Sequence, residues 1–192
     1  MEIVFIGSIR NKENVFNDIA KMEQEYFPEY PYTAKEIREF HRRNKGKSII
    51  ALHKNKVVAY AIPLLFKNKA YAQILAIAVS KGIQRKGLGK ELLKACEESL
   101  REEQVGCIIS RADVSVPILK LFKSLKYRPM DKEEIGYFVK EGIFSQNDGK
   151  VKLAQAPIKG NIRKLFDKGF VMTKDIGKQH RFSFVPMIKW MK

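Results

Sequence analysis

Apolar residues along this chain fall into two rhythms. Val15, Phe16, Ile19, Ala20 and Met22 recur every three or four positions, which predicts a helix from about Asn14 to Glu25. Glu2-Ile3-Val4-Phe5-Ile6 is a run of β-branched and aromatic residues and predicts an opening strand. Pro28 and Pro31 then break the aromatic segment between Tyr26 and Tyr32. Thr33, with Glu36 three residues on, has the form of a capping box, so a second helix should run to about Asn44 and close at Lys45-Gly46-Lys47.

Three strand-like runs follow: Ser48 to His53, Val57 to Phe66, and Ala70 to Val79. Their short connections, Lys54-Asn55-Lys56 and Lys67-Asn68-Lys69, predict an antiparallel meander. The third run is nearly all apolar from Ala72 to Val79, which predicts a central strand buried on both faces. Its small Ala72, Ala76 and Ala78 would let another group lie against its backbone. The helical rhythm returns from about Gly87 to Glu103, with Leu88, Leu92, Cys96 and Leu100 on one face and Glu97, Glu98, Arg101 and Glu102 projecting away. A strand at Val105 to Ser110, a helix at Val116 to Lys126 and a strand at Ile135 to Lys140 complete the pattern.

That order predicts an α/β (more finely, α+β) domain over residues 1–142, a mixed, mainly antiparallel sheet flanked by helices. Residues 143–192 read as a basic C-terminal extension. A shift of 44 residues sets Ile118, Lys120, Leu121 and Phe122 against Ile162, Lys164, Leu165 and Phe166, and Cys107-Ile108-Ile109 against Val151-Lys152-Leu153. The extension is therefore either a repeated β-α-β unit packed on the same sheet or a chance match between amphipathic helices.

Composition narrows the classes. The 192 residues suffice for one domain with its own core. No apolar run nears the roughly 18 residues of a membrane span, and the first six residues have no basic leader, so a cytoplasmic protein is expected. Two cysteines and three scattered histidines predict neither a disulfide framework nor a metal site. The net charge of +16 attracts anions, and residues 143–192, with eleven Lys and Arg against three Asp, carry half of it. A lysine-rich proteome accounts for that charge as well as nucleic-acid binding does, and no nucleic-acid motif accompanies it.

The informative stretch is Val79 to Lys90, between an apolar strand and the start of a helix. Free N–H groups and the dipole at a helix N-terminus attract anions. Gly87 and Gly89 lack a Cβ and would admit a phosphate close to the main chain, while Arg85, Lys86 and Lys90 add positive charge. A dinucleotide fingerprint needs a third glycine where Leu92 stands, and a P-loop needs Ser or Thr where Glu91 stands.

Gln84-Arg85-Lys86-Gly87-Leu88-Gly89 resembles the acyl-CoA loop, Gln/Arg-x-x-Gly-x-Gly/Ala, of the GNAT N-acetyltransferase superfamily. The resemblance runs in element order over residues 1 to about 140. It implies a GNAT-like acyl-CoA N-acyltransferase fold and acetyl-CoA as acyl donor, with Gln84, Arg85, Lys86, Gly87, Leu88, Gly89 and Lys90 around the pyrophosphate. Ile77, Ala78 and Val79 would lie along the pantetheine arm, and Ser115 would fall in the second cofactor motif. Phe27, Glu29, Tyr30 and Tyr32 resemble the substrate loop of the branch that acetylates protein N-termini. Two departures stand out: Gln73 occupies the position of the frequent strand glutamate, and Phe122 that of the usual tyrosine acid. Tyr127, Tyr137 and Glu29 are the remaining acid–base candidates, and the cysteines are poor nucleophiles. Three readings stay open: acetyl transfer to a primary amine, such as a protein N-terminus or a small molecule; a catalytically degenerate acyl-CoA-binding protein; and a basic nucleic-acid-binding module.

Overall fold

The structure is a computed structural model and describes residues 1–28, 31–66, 70–113, 116–141, 143, 172–176 and 180–191. It divides into two compact units, residues 1–108 with 190–192, and residues 109–189.

The first unit is built on an antiparallel sheet. β1 (Glu2–Phe5) pairs with β2 (Ile49–His53), β2 with β3 (Lys56–Leu65), and β3 with β4 (Tyr71–Val79). Lys54 and Asn55, both at positive φ, turn β2 into β3 as a two-residue hairpin requires. Helices α1 (Lys12–Tyr26) and α2 (Ala34–Arg43) pack on each other and on β3. Their stripe, Val15, Phe16, Ile19, Met22 and Ile37, forms one cluster with Ile50, Tyr60 and Ile62 of the sheet. Complete burial of an Ile such as Ile19 or Ile37 contributes about 1.5–3 kcal/mol. The expected capping box starts α2: the Glu36 N–H donates to the Thr33 hydroxyl, and Thr33 N–H donates to the Glu36 carboxylate.

Alternation sends Ala59 and Ala61 to the face opposite Tyr60 and Ile62. Being small and fully buried, they leave room for α3 (Leu88–Glu102), which packs on β2, β3 and β4. Leu88, Leu92, Cys96 and Leu100 are buried, as their spacing predicts. Glu97 is a correction: it was expected to project away, and it is buried. It lies one residue from Cys96, so the buried arc of α3 is wider than a single stripe.

A bulge interrupts the β3–β4 register. Ile62 stands opposite Ala76 and Pro63 opposite Ile74, so Leu75 is the extra residue. Asn44, buried just past α2, braces this point: its side-chain amide donates to the Pro63 carbonyl, and its side-chain oxygen accepts from the Leu65 N–H at 2.9 Å. The expectation that β4 is buried throughout is corrected here. Tyr71 to Ile74 are buried, whereas Leu75 to Val79 are half-buried, and the change falls at the bulge.

The second unit holds most of β5 (Cys107–Asp113), then α4 (Val116–Ser124), β6 (Arg128–Pro129), α5 (Lys132–Lys140), β7 (Met172–Ile176) and β8 (His180–Trp190). β8 lies between β5 and β6 and also pairs antiparallel with β7. The expected strand at Ile135 to Lys140 is a helix instead. Asp131 and Glu134 form a second capping box, with Glu134 N–H donating to Asp131 at 2.9 Å and Asp131 N–H to Glu134 at 3.1 Å. That nucleus sets a helical period over a segment whose composition suits a strand. The turn Lys67-Asn68-Lys69 and the repeat partners between Val151 and Phe166 lie outside the described residues.

Candidate active site

The site is assembled at the C-terminal end of β4. Ser80 N–H donates to the Val58 carbonyl at 2.9 Å, which carries the sheet one step past Val79. A short 3₁₀ turn at Lys81–Ile83 follows, and Gln84 then folds back. Its side-chain amide donates to the Val79 carbonyl at 2.8 Å and its own N–H to Lys81 at 3.4 Å. Gln84 thus fastens the loop to the strand end.

Beyond Gln84 the backbone turns left-handed twice, at Arg85 (φ 64) and Gly87 (φ 86). The first N–H groups to donate back into α3 are those of Lys90 and Glu91, both to the Gly87 carbonyl, at 2.9 and 3.2 Å. Those of Arg85, Lys86, Gly87, Leu88 and Gly89 have no backbone acceptor among the described residues. Successive N–H groups in such a turn form an anion-binding concavity, reinforced by the helix dipole. A Cβ built on Gly87 would meet nothing within 4 Å, so the space above it is open. Arg85, Lys86 and Lys90 are exposed around it, and Leu88 is buried as the hydrophobic anchor of the turn. These are the features a pyrophosphate requires.

Ile77, Ala78 and Val79 lead into this loop, half-buried and in register with Ala61, Tyr60 and Ala59. Ala76 and Ala78 pack against the cluster that contains Tyr60 and Ile62. Gln73 is buried near the other end of β4, opposite Leu64. Neither a carboxylate nor a histidine occurs on β4.

Phe27 and Tyr32 flank the connection from α1 to α2. Phe27 is exposed, and Tyr32 is half-buried with its ring edge-on to Phe40 at 5.0 Å. Glu29 and Tyr30 lie outside the described residues, as does Ser115. Tyr127 and Tyr137 belong to the second unit. Tyr127 is buried, edge-on to the Phe122 ring at 4.9 Å, with the Lys189 ammonium 5.6 Å from its ring centre. Tyr137 is exposed on α5 and stacks edge-on against Phe138 at 5.1 Å. Burial raises the Cys96 thiol well above its usual range, with Glu97 adding to the effect, so it supplies no thiolate at neutral pH.

Sequence reasoning passed over Glu23 and Tyr60. Glu23 is a buried carboxylate on α1 that accepts from the Tyr60 hydroxyl and, at 3.3 Å, from the Tyr32 N–H. Burial pushes its pKa up, against the two hydrogen bonds, which lower it. The signal was present: Glu23 stands four residues after Ile19, on the apolar stripe, where a charge needs a partner.

A family profile described as Acetyltransferase (GNAT) family matches residues 13–125, more than half of the chain. The chain belongs to this family. It is an acetyl-CoA-dependent N-acetyltransferase, and the GNAT family's acyl donor matches the open, N–H-lined turn at Arg85 to Gly89. Solved structures share the fold at low identity. Ard1 from Thermoplasma volcanium is 12% identical with a TM-score of 0.63, covering 100% of this chain and 97% of that one. The ribosomal-protein-S18-alanine N-acetyltransferase from Escherichia coli is 16% identical, with a TM-score of 0.60 and coverage of 100% and 94%. The protein yncA from Salmonella typhimurium, solved with its cofactor acetyl-CoA, is 10% identical with a TM-score of 0.66 and coverage of 100% and 94%. The comparison with curated proteins finds no match. Among the described residues, no group of three or more His, Cys, Asp and Glu is placed to hold a metal ion, and no helix is long and apolar enough to cross a membrane.

Proposed function

We propose that the acceptor is an α-amine, the N-terminus of a peptide or protein, which attacks the thioester directly in a ternary complex with acetyl-CoA. The observation that carries this reading is the lack of a carboxylate or histidine on β4, with Gln73 where the family often has its base. An amine must lose a proton before it can attack. An α-amine, with a pKa near 7.7–8.0, is partly free at neutral pH, whereas a lysine near 10.4 needs roughly 3–4 kcal/mol more for deprotonation. The structural neighbours named Ard1 and ribosomal-protein-S18-alanine N-acetyltransferase, the second with a protein as its substrate, add support from proteins of the same fold.

In this reading the neutral amine nitrogen bonds to the thioester carbon, the carbon–sulfur bond breaks, and the thiolate leaves and takes up, directly or through water, the proton that the nitrogen sheds. Arg85 to Gly89 hold the pyrophosphate, Ile77 to Val79 run along the pantetheine arm, and the chain around Phe27 and Tyr32 borders the acceptor. A cysteine-like thiol near pKa 8.5 is a tolerable leaving group. A side-chain acid, for which Tyr127 and Tyr137 stand as candidates, would then add at most the ~10²–10⁴-fold typical of such catalysis.

The test is thiol release from acetyl-CoA with matched peptides, one bearing a free N-terminus and one blocked there but bearing a lysine. The free N-terminus should be preferred, with kcat/KM rising with pH, half-maximal at about 8, the α-amine's own pKa, and level above it. Equal use of the blocked lysine peptide would overturn the reading. Tyr127→Phe and Tyr137→Phe enzymes on the same assay decide whether either supplies a proton.

A further inference from the structure

The buried pair Glu23 and Tyr60 stands beside the site without belonging to the acyl-CoA loop. Both side chains are essentially inaccessible, Glu23 at 1% and Tyr60 at 0% exposure, so neither can touch a substrate. Their contacts join three elements. Tyr60 on β3 stands directly across from Ala78 on the half-open part of β4. Glu23 sits in the last full turn of α1, and its second oxygen accepts the N–H of Tyr32, just before α2 begins. One turn on, the Tyr26 hydroxyl accepts the Lys81 N–H at 3.2 Å, and Glu25 pairs with the Lys81 ammonium at 3.2 Å. The end of α1 is therefore fastened both to the start of the cofactor loop and to the backbone entering α2.

A carboxylate at this place needs a reason. An apolar side chain would fill the stripe of α1 at no electrostatic cost, and burying a charge is expensive. Only an acceptor with two oxygens can take the Tyr60 hydroxyl on one side and the Tyr32 N–H on the other. We propose that Glu23 is a positioning residue for the acceptor: through the Tyr60 hydroxyl and the Tyr32 N–H it fixes Tyr32, at the entry to α2, to β3 beside the half-open end of β4, and so sets acceptor binding rather than the acyl-transfer step. The proposal rests on the reading that the chain around Phe27 and Tyr32 borders the acceptor.

The pair carries a pH signature. The titratable group facing Glu23 is Tyr60 on β3, and Tyr60 in turn is faced by Tyr26 on α1 and Tyr32 before α2. Burial raises the Glu23 pKa above the ordinary 4.5. Protonation puts a hydrogen on one oxygen and takes an acceptor from one of the two donors, so the tie loosens as pH falls through the raised pKa. Stability runs the other way. A raised carboxyl pKa contributes stability that is full below 4.5 and is lost as pH rises through the folded value. Glu23→Gln, which cannot ionise, should therefore melt higher than the parent at neutral pH, but with one acceptor oxygen it stands in for the protonated carboxyl and keeps only one of the two accepting contacts.

The experiment compares the full chain with Glu23→Ala, Glu23→Gln and Tyr60→Phe, using the amine the parent accepts. In Glu23→Ala the acceptor KM and the exchange rate of the Tyr32 amide should each rise by about tenfold, the worth of one buried hydrogen bond. Its kcat and acetyl-CoA Kd should stay at parental values. Glu23→Gln, which keeps one acceptor oxygen, should fall between the parent and Glu23→Ala in both at neutral pH. Below the acceptor's pKa, log kcat/KM of the parent should fall more steeply than one per pH unit while Glu23 titrates and then run down to the Glu23→Gln line, which keeps a slope of one throughout. If Glu23→Ala does not fold, Tyr60→Phe, which loses a single hydroxyl, should move KM and Tyr32 exchange in the same direction. An unchanged acceptor KM in the variants, or equal shifts in acetyl-CoA Kd and kcat, overturns the proposal. A parent that prefers side-chain amines overturns the α-amine reading alone, and the Glu23 comparison is then decided with that amine.

Discussion

Gly87 concentrates the chemistry of the cofactor turn in one residue. Its φ of 86 suits glycine, and the open space above it is where an anion can meet five successive N–H groups. A side chain there has two separable costs. Gly87→Ala carries the backbone strain alone, about 1–2 kcal/mol for a left-handed L-residue, and should lower Tm while keeping an acetyl-CoA-induced shift. Gly87→Glu adds bulk and a negative charge and should abolish that shift. In the parent, acetyl-CoA at 100 times its Kd should add about 2.7 kcal/mol of stability. A melting scan of the three proteins with and without acetyl-CoA checks this, and a preserved shift in Gly87→Glu would place the pyrophosphate elsewhere. Much of this turn was legible in the sequence, because glycines and cations beside a helix start carry their own chemistry. Glu23 and Asn44 were not, because their roles depend on partners such as Tyr60, Pro63 and Leu65 that only folding brings near.

Among the elements, α2 and α5 begin with the same device and were read differently. Thr33 and Glu36 precede a visibly helical pattern, so the box was recognised. Asp131 and Glu134 precede Ile135-Gly136-Tyr137-Phe138-Val139, whose composition favours a strand, and the box was missed. Capping and tertiary packing decide such a segment, since β-propensity is strongly context-dependent. Asp131→Ala removes the acceptor of the Glu134 N–H and should cost about 1 kcal/mol, within the usual range for an N-cap. Urea unfolding measures that loss, and amide exchange along Lys132–Lys140 should rise with it. An Asp131→Ser chain, which restores a capping oxygen, should recover most of it. An Asp131→Ala protein as stable as the parent would mean that packing of Ile135 and Phe138 alone holds the helix.

For the molecule as a whole, the boundary near residue 142 becomes a question about β8. That strand runs between β5 and β6, and its Val185, Met187 and Ile188 are buried. Removing three such side chains forfeits about 1.5–3 kcal/mol each, a large part of the 5–15 kcal/mol that holds an ordinary domain together. A chain ending at residue 142 is therefore expected to aggregate or to unfold at much lower urea. A soluble fragment 1–142 that melts like the full chain and binds acetyl-CoA would show that the extension is dispensable. The order of strands and helices up to α4 was legible because each has a clear period. The extension was not, because a repeat of weakly matching residues carries no record of which strands it joins.

The β3–β4 bulge, with the small Ala76 and Ala78 beyond it, also acts as a proofreading mark for folding. Two strands rich in Ala and Ile can zip together one residue out of step with little loss of apolar contact, and such a slip turns every side chain to the opposite face. Ile77 and Val79 would then crowd against Tyr60 where Ala76 and Ala78 now leave room. Asn44 holds the Pro63 carbonyl and the Leu65 N–H, both on β3, so that strand offers β4 an end already fixed. A misaligned hairpin leaves that crowding unrelieved, so it is driven to reopen before the helices close over it.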